Sequence, residues 1–277
     1  MKPWTSSRAC FPPCETMKKV VVVTGGSHGI GKATAQLFAA QGHRVYELSR
    51  SGQNADGILH ITADLTDEQS VAAAFQHIAA QEGRLDILVN NAGFGISGAA
   101  ELTTATDAAR LFNINFGGVH RCVCAAVPIM RPTGGRIVNI SSVGAVFAIP
   151  FQSFYSASKA AVSAFSLALA NELRPFRIDV CALLPGDVRT DFTAAREKSS
   201  LGQELYGNAI ETAVSAMERD EQNGMAPERL ARAICHAALK RRCPVRVTVG
   251  LKYKLFLLLD RLLPIRLVNW IVKLLYS

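Results

Sequence analysis

A tyrosine and a lysine four residues apart, Tyr155 and Lys159, are the side chains of this sequence best suited to proton transfer. They lie in a run of helix-compatible residues, so both should project from one helical face. A cation beside a phenol favours the phenolate and lowers its pKa from about 10 toward neutral pH, where general acid–base catalysis is most effective. The spacing predicts a catalytic pair, although a packed tyrosine beside a solvated lysine would have the same spacing.

A strand, a glycine turn and a helix follow one another near the start of the chain. Residues 19–24 form a β-branched run without alternation, which is typical of a parallel strand buried on both faces. The turn Gly25-x-x-x-Gly29-x-Gly31 comes next, and helical periodicity follows over 32–41. Glycines let the backbone approach a pyrophosphate, and the free N–H groups of the helix N-terminus attract it. This arrangement predicts a dinucleotide site.

Strands and helices alternate along the rest of the chain. Further strands are predicted at 45–48, 58–61, 86–90, 136–140, 178–183 and 245–249, and helices at 67–81, 105–130, 153–173 and 227–240. Such alternation predicts an α/β fold, a single Rossmann-type doubly wound parallel sheet with helices on both faces. We expect a loose N-terminal extension over 1–16, a catalytic domain over 17–250 and an amphipathic tail over 251–277. The polar, glycine-interrupted segment 189–223 is expected to be a mobile lid.

Composition and the distribution of charge along the chain indicate what kind of partner the protein binds. Of the 277 residues, 49% are hydrophobic and 19% are charged, which suits one large domain. The net charge of +8 arises from 240–277, because the residues before it carry 21 charges of each sign. A nucleic-acid-binding domain would spread its positive charge over one face, so a membrane surface fits this basic, leucine-rich tail better. DNA binding through the tail is the alternative.

The cysteines and the first residues bear on the compartment. Seven cysteines without paired spacing indicate reduced thiols in a cytoplasmic chain, with no metal site. No signal peptide is expected within 1–16, and Met17 is an alternative start.

The end of the second strand bears on the choice between NAD and NADP. An acidic residue there binds the adenosine ribose of NAD, whereas a basic residue accommodates the 2′-phosphate of NADP. The strand ends in Glu47-Leu48-Ser49-Arg50, with Ser49 where the acid is expected and Arg50 able to bind a phosphate. We predict NADP. If the register differs by two residues, Glu47 would bind the ribose diol instead.

Taken together, the motifs resemble those of the short-chain dehydrogenase/reductase family. They occur in the family's order over residues 20–190: Thr24-Gly25-x-x-x-Gly29-Ile30-Gly31, Asp64-Leu65, Asn90-Asn91-Ala92-Gly93, Asn115, Ser142, Tyr155-x-x-x-Lys159 and Pro185-Gly186-x-Val188-x-Thr190. The resemblance implies cofactor contacts from a set of residues that includes the catalytic pair: Gly25, Ser27, His28, Gly29, Ile30, Gly31, Arg50, Asp64, Leu65, Asn91, Ala92, Gly93, Tyr155, Lys159, Pro185, Gly186, Val188 and Thr190. His28 would touch the 2′-phosphate or face solvent.

The resemblance also implies the catalytic roles. Tyr155 would be the acid or base, Ser142 would hold the substrate oxygen, Lys159 would bind the nicotinamide ribose and lower the pKa of Tyr155, and Asn115 would keep a water in the proton relay. Family spacing selects Ser142 over Ser141. Hydride transfer to a ketone leaves a developing alkoxide that needs hydrogen-bond donors and a proton, which Ser142 and Tyr155 supply. A non-catalytic NADP-binding regulator is the alternative, and the intact set of four residues argues against it.

The loop 143–151 bears on the substrate. It is nearly devoid of polar side chains, and in this family it borders the substrate, so we expect a lipophilic ketone or secondary alcohol; simple packing against the core is the alternative. Ser142-Val143-Gly144 and Pro150-Phe151 resemble the estradiol-type hydroxysteroid dehydrogenases, which makes a steroid the first expectation. Thr24-Gly25-Gly26-Ser27 and the tail also resemble the 3-ketosphinganine reductases, the alternative within the enzyme class.

The tail is apolar but interrupted by charges. Asp260, Arg261, Arg266 and Lys273 leave no uncharged run long enough to span a bilayer. After Pro264, polar residues recur at helical spacing and leave an apolar face, as in a helix lying on an anionic membrane. The alternative is a helix docked on the protein's own pocket or on a dimer partner.

A homo-oligomer, a dimer or a tetramer, is expected from the family resemblance. The small residues on one face of the helix over 153–173 would allow two helices to pack closely: Ala157, Ala161, Ala164 and Ala168.

Overall fold

A parallel sheet forms the centre of the protein, whose computed structural model describes residues 18–199 and 201–276. Its strands are β1 (Val20–Thr24), β2 (Arg44–Ser49), β3 (Ile58–Thr62), β4 (Ile87–Asn90), β6 (Gly135–Ile140), β7 (Ile178–Pro185) and β9 (Arg246–Val249), while β5 (Ile96–Ser97) and β8 (Glu197–Lys198) form a second, two-stranded sheet. The seven main strands are ordered β3-β2-β1-β4-β6-β7-β9 and all neighbours are parallel. The predicted doubly wound α/β fold is confirmed. The predicted extension over 1–16 and the alternative start at Met17 lie outside the described residues.

Helices cover both faces of this sheet. They are α1 (Gly29–Ala40), α2 (Glu68–Glu82), α3 (Ala105–Phe112), α4 (Gly118–Met130), α5 (Ser153–Glu172), α6 (Phe192–Ala195), α7 (Gln203–Tyr206), α8 (Ala209–Gln222), α9 (Pro227–Leu239), α10 (Leu251–Leu262) and α11 (Ile265–Leu275). Alternate residues of each strand point to opposite faces. Val22 therefore packs with α2, α4 and α5 on one face, and Val21 and Val23 pack with α1 and α9 on the other.

The long helix predicted over 105–130 is interrupted in its middle. A π-helical turn over Asn113–Gly117 separates α3 from α4. A π turn widens the helix by one residue, and such turns occur often at functional sites. Here it accompanies the complete burial of the Asn115 side chain. Hydrophobic periodicity alone did not indicate the break.

The segment 189–223 contains more regular structure than its polar composition indicated. It holds α6, β8, α7 and the fourteen-residue helix α8. The buried positions of α8, namely Ile210, Ala213, Val214 and Met217, recur at helical spacing. That periodicity was the overlooked signal for this helix, because the many charged residues around it obscured the apolar stripe.

The tail forms two helices that return to the body of the protein. Leu257 of α10 is buried beside Ala182 and Leu184 of β7. Tyr276, just after α11, packs on the cluster that includes Ile210 of α8. Among residues 18–199 and 201–276, no helix has both the length and the apolarity needed to cross a bilayer.

Candidate active site

The candidate site lies at the edge of the sheet where the central parallel strands end. Parallel pairing brings the carboxyl ends of β1, β4, β6 and β7 to one side, so Thr24, Asn90, Ile140 and Pro185 are the strand residues nearest the site. Ligands of open α/β sheets bind in the crevice at this edge. A cavity of about 880 Å³ occupies it.

The cavity gathers most of the residues predicted for the site. Its lining includes Gly25, Ser27, His28, Gly29, Ile30, Arg50, Asp64, Leu65, Asn91, Ala92, Gly93, Ser142, Tyr155, Lys159, Pro185, Gly186, Val188 and Thr190. Two predicted residues, Gly31 and Asn115, lie behind this lining and support it.

The glycine turn is held tightly against the loop that follows β4. Gly25 has a positive φ of 64°, and a β-carbon added to it would lie 3.0 Å from the α-carbon of Ala92. A β-carbon on Gly31 would lie 2.1 Å from the carbonyl oxygen of Gly25, so only glycine fits there. The Asn91 amide donates to the carbonyl oxygens of Thr24 (3.1 Å) and Gly25 (3.2 Å). The turn and the N-terminus of α1 thus form a cradle of the shape that a pyrophosphate requires.

The acidic and the basic residue at the end of β2, Glu47 and Arg50, lie in different surroundings. Glu47 is 3% exposed, lies outside the cavity lining and contacts Nδ1 of His60 through Oε2 at 2.5 Å. Its side chain fills the space beside Gly26, where an added β-carbon would lie 2.4 Å from its Cγ. Ser49 and Arg50 line the cavity. The alternative in which Glu47 binds a ribose diol therefore has no support from this arrangement.

Asp64, after β3, is fixed at the same end of the cavity. Its Oδ1 accepts hydrogen bonds from the backbone N–H (2.9 Å) and the hydroxyl (2.7 Å) of Thr66. These bonds, with smaller contributions from Arg50 and Arg121, lower the pKa of Asp64. An ionised acceptor is thereby available next to Leu65, in the pair for which the family resemblance implied cofactor contacts.

The Tyr155 side chain is partly buried in the middle of the cavity. Its ring contacts that of Phe192, with 5.8 Å between centroids. Burial raises the pKa of Tyr155 to about 12; a hydrogen bond with Ser142 opposes this shift, while the carboxylates of Glu221 and Asp187 add to it. The phenol therefore holds its proton at neutral pH and is a donor in this structure.

Lys159 lies one helical turn further along α5. Its Nζ donates to the carbonyl oxygen of Ile140 at 3.0 Å and lies 5.9 Å from the centroid of the Tyr155 ring. Burial lowers the pKa of Lys159 to about 8. The lowering of the Tyr155 pKa by Lys159 stays a prediction: here the ammonium donates to a backbone carbonyl, and desolvation makes the largest contribution to the pKa of the phenol.

The two adjacent serines have different surroundings. The Ser141 hydroxyl donates to the carbonyl oxygen of Lys159 (2.8 Å) and contacts the Ser163 hydroxyl (2.7 Å), so it joins β6 to α5. The Ser142 hydroxyl accepts from the backbone N–H of Gly144 at 3.0 Å, which leaves its proton free to point into the cavity. This difference agrees with the choice of Ser142 made from spacing.

Asn115 supports the floor of the cavity from the π-helical turn. Its side chain exchanges two hydrogen bonds of 3.0 Å with the backbone of Phe94 and donates to the Ser158 hydroxyl at 3.1 Å. A β-carbon on Gly93 would lie 2.9 Å from Asn115 Oδ1 and 3.4 Å from Lys159 Nζ. Asn115 therefore ties the loop after β4 to α5, the helix that carries Tyr155 and Lys159.

A buried polar network, which sequence reasoning missed, lies beside Tyr155. Arg196 is 4% exposed and forms an ion pair with Glu221, which also accepts a hydrogen bond from Thr193 at 2.6 Å. With its amide oxygen turned toward Arg196, Gln152 accepts from Nε at 2.9 Å. The network joins α6 and α8 to the start of α5. Its members lie far apart in sequence and share no motif.

Asp187 and Tyr253 form a second contact that the sequence did not indicate. Asp187 follows the Pro185-Gly186 pair and lines the cavity. The Tyr253 hydroxyl, from α10, accepts from the backbone N–H of Asp187 at 3.1 Å and donates to its Oδ2. Burial raises the pKa of Asp187, and the hydrogen bond from Tyr253 opposes that shift.

Part of the remaining wall of the cavity is apolar. Six apolar residues contribute to it: Phe94, Ile114, Val143, Ile149, Phe192 and Ala195. Within the loop 143–151, Val143 and Ile149 line the cavity, whereas Val146 and Phe147 pack around Leu257 of α10. The loop thus contributes both to the cavity wall and to packing against α10.

Comparison with known proteins agrees with this geometry. The family described as "short chain dehydrogenase" matches residues 19–200. A 3-ketodihydrosphingosine reductase of Bacteroides thetaiotaomicron is 41% identical over 264 residues, which are 94% of this chain and 98% of that protein. The crystal structure of a short-chain dehydrogenase from Streptomyces avermitilis superposes with a TM-score of 0.80 at 33% identity, covering 90% of this chain and 94% of that one.

Two further structures were solved with a bound nucleotide. A 3-ketoacyl-(acyl-carrier-protein) reductase from Brucella melitensis, complexed with NADH, has a TM-score of 0.70 at 27% identity and covers 83% of this chain and 96% of its own. ElxO, with NADP bound, has a TM-score of 0.71 at 27% identity and covers 86% and 99%. A nicotinamide cofactor is common to both. The fold, the family match and the relatives agree that this chain belongs to the short-chain dehydrogenase family and is an oxidoreductase acting on ketones or alcohols.

Proposed function

We propose that the protein is an NADP(H)-dependent reductase that interconverts a ketone and a secondary alcohol on a long-chain amino ketone of the 3-ketosphinganine class. The observation that carries this proposal is the cavity in which Ser142, Tyr155 and Lys159 face an apolar wall, in a chain 41% identical to a 3-ketodihydrosphingosine reductase.

The residues around the ketone have complementary tasks. A nicotinamide held by the glycine turn and Lys159 would, in its reduced form, supply the hydride for the carbonyl carbon. The Ser142 hydroxyl and the Tyr155 phenol donate hydrogen bonds to the carbonyl oxygen, and Tyr155 gives that oxygen its proton. Below pH about 8 the buried Lys159 carries a positive charge. That charge stabilises the tyrosinate left by proton transfer and attracts the ribose hydroxyls of the cofactor.

Substitution of Tyr155 by phenylalanine tests the mechanism. Tyr155→Phe should lower kcat by about 10²–10⁴, the usual contribution of a general acid, and leave the Kd for NADPH within about twofold. Steady-state assay and titration of nucleotide fluorescence measure the two quantities. Tyr46→Phe is the matched control, since that hydroxyl contacts Glu82 outside the cavity lining. Undiminished turnover of Tyr155→Phe would show that another group transfers the proton.

Three features support NADP rather than NAD. Arg50 and Ser49 line the cavity at the end of β2, Glu47 is occupied by His60, and the exposed His28 lies in the glycine turn beside Ser27. An arginine binds a phosphate dianion through two parallel hydrogen bonds. No carboxylate occupies the corresponding position in the cavity lining at the end of β2.

Substitution of Arg50 tests the choice of cofactor. A hydrogen bond to a charged group contributes about 1.5–3 kcal/mol, so Arg50→Gln should raise the KM for NADPH about tenfold or more and leave the KM for NADH unchanged. Arg44→Gln, at the other end of β2, is the control. A wild-type preference for NADH, or an equal effect of Arg50→Gln on both nucleotides, would contradict NADP specificity and direct attention back to Glu47.

The cavity also favours an amino ketone over a steroid, which was the first expectation from sequence. A sphingoid ketone carries an ammonium on the carbon next to its carbonyl, whereas a steroid ketone carries no charge. Asp187 lines the cavity and lies close enough to affect the pKa of Tyr155. An anionic carboxylate there would bind the ammonium while the apolar wall holds the alkyl chain. The relative from Bacteroides thetaiotaomicron supports the same class.

Competition between substrates tests this assignment. The wild type should reduce 3-ketosphinganine with a higher kcat/KM than a steroid ketone or a long-chain ketone without an amine. Asp187→Asn should lower kcat/KM for the amino ketone about tenfold, the value of one charge-assisted contact. Asp187→Asn should change kcat/KM for the ketone without an amine only slightly. Faster reduction of the steroid by the wild type would restore the hydroxysteroid assignment.

The exposed surface of the tail supports peripheral contact with a membrane. Leu251, Leu255, Leu258 and Leu262 follow helical spacing along α10 and are 52–81% exposed. Trp270 of α11 is 56% exposed and lies among further exposed leucines and isoleucines. Monomers rarely expose large contiguous apolar patches to water, and such patches often mark interaction sites. The basic residues of the tail would add attraction to anionic lipids.

Vesicle binding tests this contact on the full chain. The protein should co-sediment with vesicles containing phosphatidylserine and less with neutral vesicles. The triple variant Leu262→Ser, Ile265→Ser, Trp270→Ser should lose this binding, because each side chain would contribute about 1.5–3 kcal/mol on burial. Leu201→Ser with Leu205→Ser, exposed residues outside the tail, is the control. Binding to DNA but not to vesicles would support the nucleic-acid alternative.

The expected dimer or tetramer also remains a proposal. Ala157, Ala164 and Ala168 of α5 are exposed, and Ala161 is partly exposed. This small-residue face would let the α5 helices of two copies approach closely.

A further inference from the structure

The first turn of α10 packs directly on the segment that follows β7. A β-carbon added to Gly186 would lie 1.9 Å from Cε2 of Tyr253, so the ring occupies the space that any other side chain at 186 would need. Gly250, with a positive φ of 101°, begins the helix, and a β-carbon there would lie 2.7 Å from Cδ2 of the same ring. Two glycines thus make room for one tyrosine.

The hydroxyl of that tyrosine is held equally firmly. It accepts from the backbone N–H of Asp187 at 3.1 Å and donates to the Asp187 carboxylate, so one oxygen contacts both the backbone and the side chain of the residue. Burial, and hydrogen bonding to Asp187, raise the pKa of Tyr253 well above its usual value. The hydroxyl therefore keeps its proton and its role as donor.

The same helix also contacts the loop that follows Ser142. The ring of Phe256 lies 6.3 Å from that of Tyr253 and 6.3 Å from that of Phe147, edge to face in both cases. Leu257 is buried in a cluster against which Val143 packs. The inner face of α10 therefore contacts two loops that contain site residues: the loop after β6 and the loop after β7.

We propose that Tyr253 is a positioning residue for the nicotinamide cofactor, acting through the Gly186–Asp187 backbone that it holds. The inference rests on the proposed role of residues 185–190 in binding the cofactor. A segment held in its bound conformation loses less conformational entropy when the ligand arrives, so it binds more tightly than a free one. The tail is then part of the cofactor site although it lies outside the sequence motifs.

Removal of one oxygen atom tests this role. Tyr253→Phe keeps the ring against Gly186 and deletes only the hydroxyl. The Kd for NADPH, from nucleotide fluorescence, should rise about tenfold, whereas kcat at saturating NADPH should stay within about threefold. Hydrogen exchange of the full-length protein should accelerate in the peptide that contains 186–190, because the Asp187 amide loses its acceptor.

Tyr46→Phe is again the control. It removes a hydroxyl that contacts the Glu82 carboxylate at 2.6 Å, so it matches the lost tyrosine–carboxylate bond. It should lower the melting temperature without changing the Kd for NADPH or exchange at 186–190. Gly186→Ala, which displaces the ring, should weaken NADPH binding at least as much as Tyr253→Phe.

Three outcomes would overturn the inference: an unchanged Kd in Tyr253→Phe, unchanged exchange at 186–190, or an equal loss of affinity in Tyr46→Phe. If wild-type protein fails to bind NADPH, the proposed function itself fails. If the wild-type protein binds NADPH but Tyr253→Phe has the same Kd as Tyr46→Phe, only the inferred role of Tyr253 is wrong.

Discussion

Parallel pairing of the central strands is the constraint on which the site depends. Because β1, β4, β6 and β7 run in one direction, the loops after all four emerge at the same edge of the sheet. The glycine turn, the loop carrying Gly93, the Ser142 segment and the Gly186 segment are far apart in sequence and become neighbours only through this geometry. One β-branched strand buried on both faces, β1, lies between β2 and β4 and pairs with both.

Close backbone contacts then convert that proximity into a defined shape. Gly31 leaves no room for a side chain beside the carbonyl of Gly25, and Gly93 leaves none beside Asn115. The polar side chains at this edge are used mainly to tie loops together: Asn91 binds the glycine turn, and Ser141 binds α5. These bonds satisfy buried backbone groups, and the cavity itself is lined by apolar side chains together with polar and charged ones.

The sequence was sufficient for the fold and for the residues around the cavity, because those depend on local periodicity and on short motifs. Tyr155 and Lys159 are one helical turn apart, so their common face follows from spacing alone. Their ionisation could not be predicted in the same way. It depends mainly on burial, which spacing does not encode. The break in the helix at Asn113–Gly117 likewise has no signature in hydrophobic pattern.

Contacts between residues that are distant in sequence could not be predicted from motifs, for a related reason. Asp187 and Tyr253 are 66 residues apart, and Arg196 meets Glu221 only after α6 and α8 have folded over the cavity. Neither pair has a fixed spacing that identifies it. The helix α8 is different, since its apolar stripe was present in the sequence and was obscured by the surrounding charges. The polar composition of this segment predicted an irregular loop, whereas its apolar periodicity indicates a helix.

The helix α10 shows how one short element can serve two environments. Tyr253, Phe256 and Leu257 point inward, whereas Leu251, Leu255 and Leu258 point outward, because successive residues of a helix are rotated by about 100°. The two sets can therefore vary independently during evolution. Substitutions on the outer set would change the exposed surface of the tail without disturbing the contacts that the inner set makes with the loops after β6 and β7.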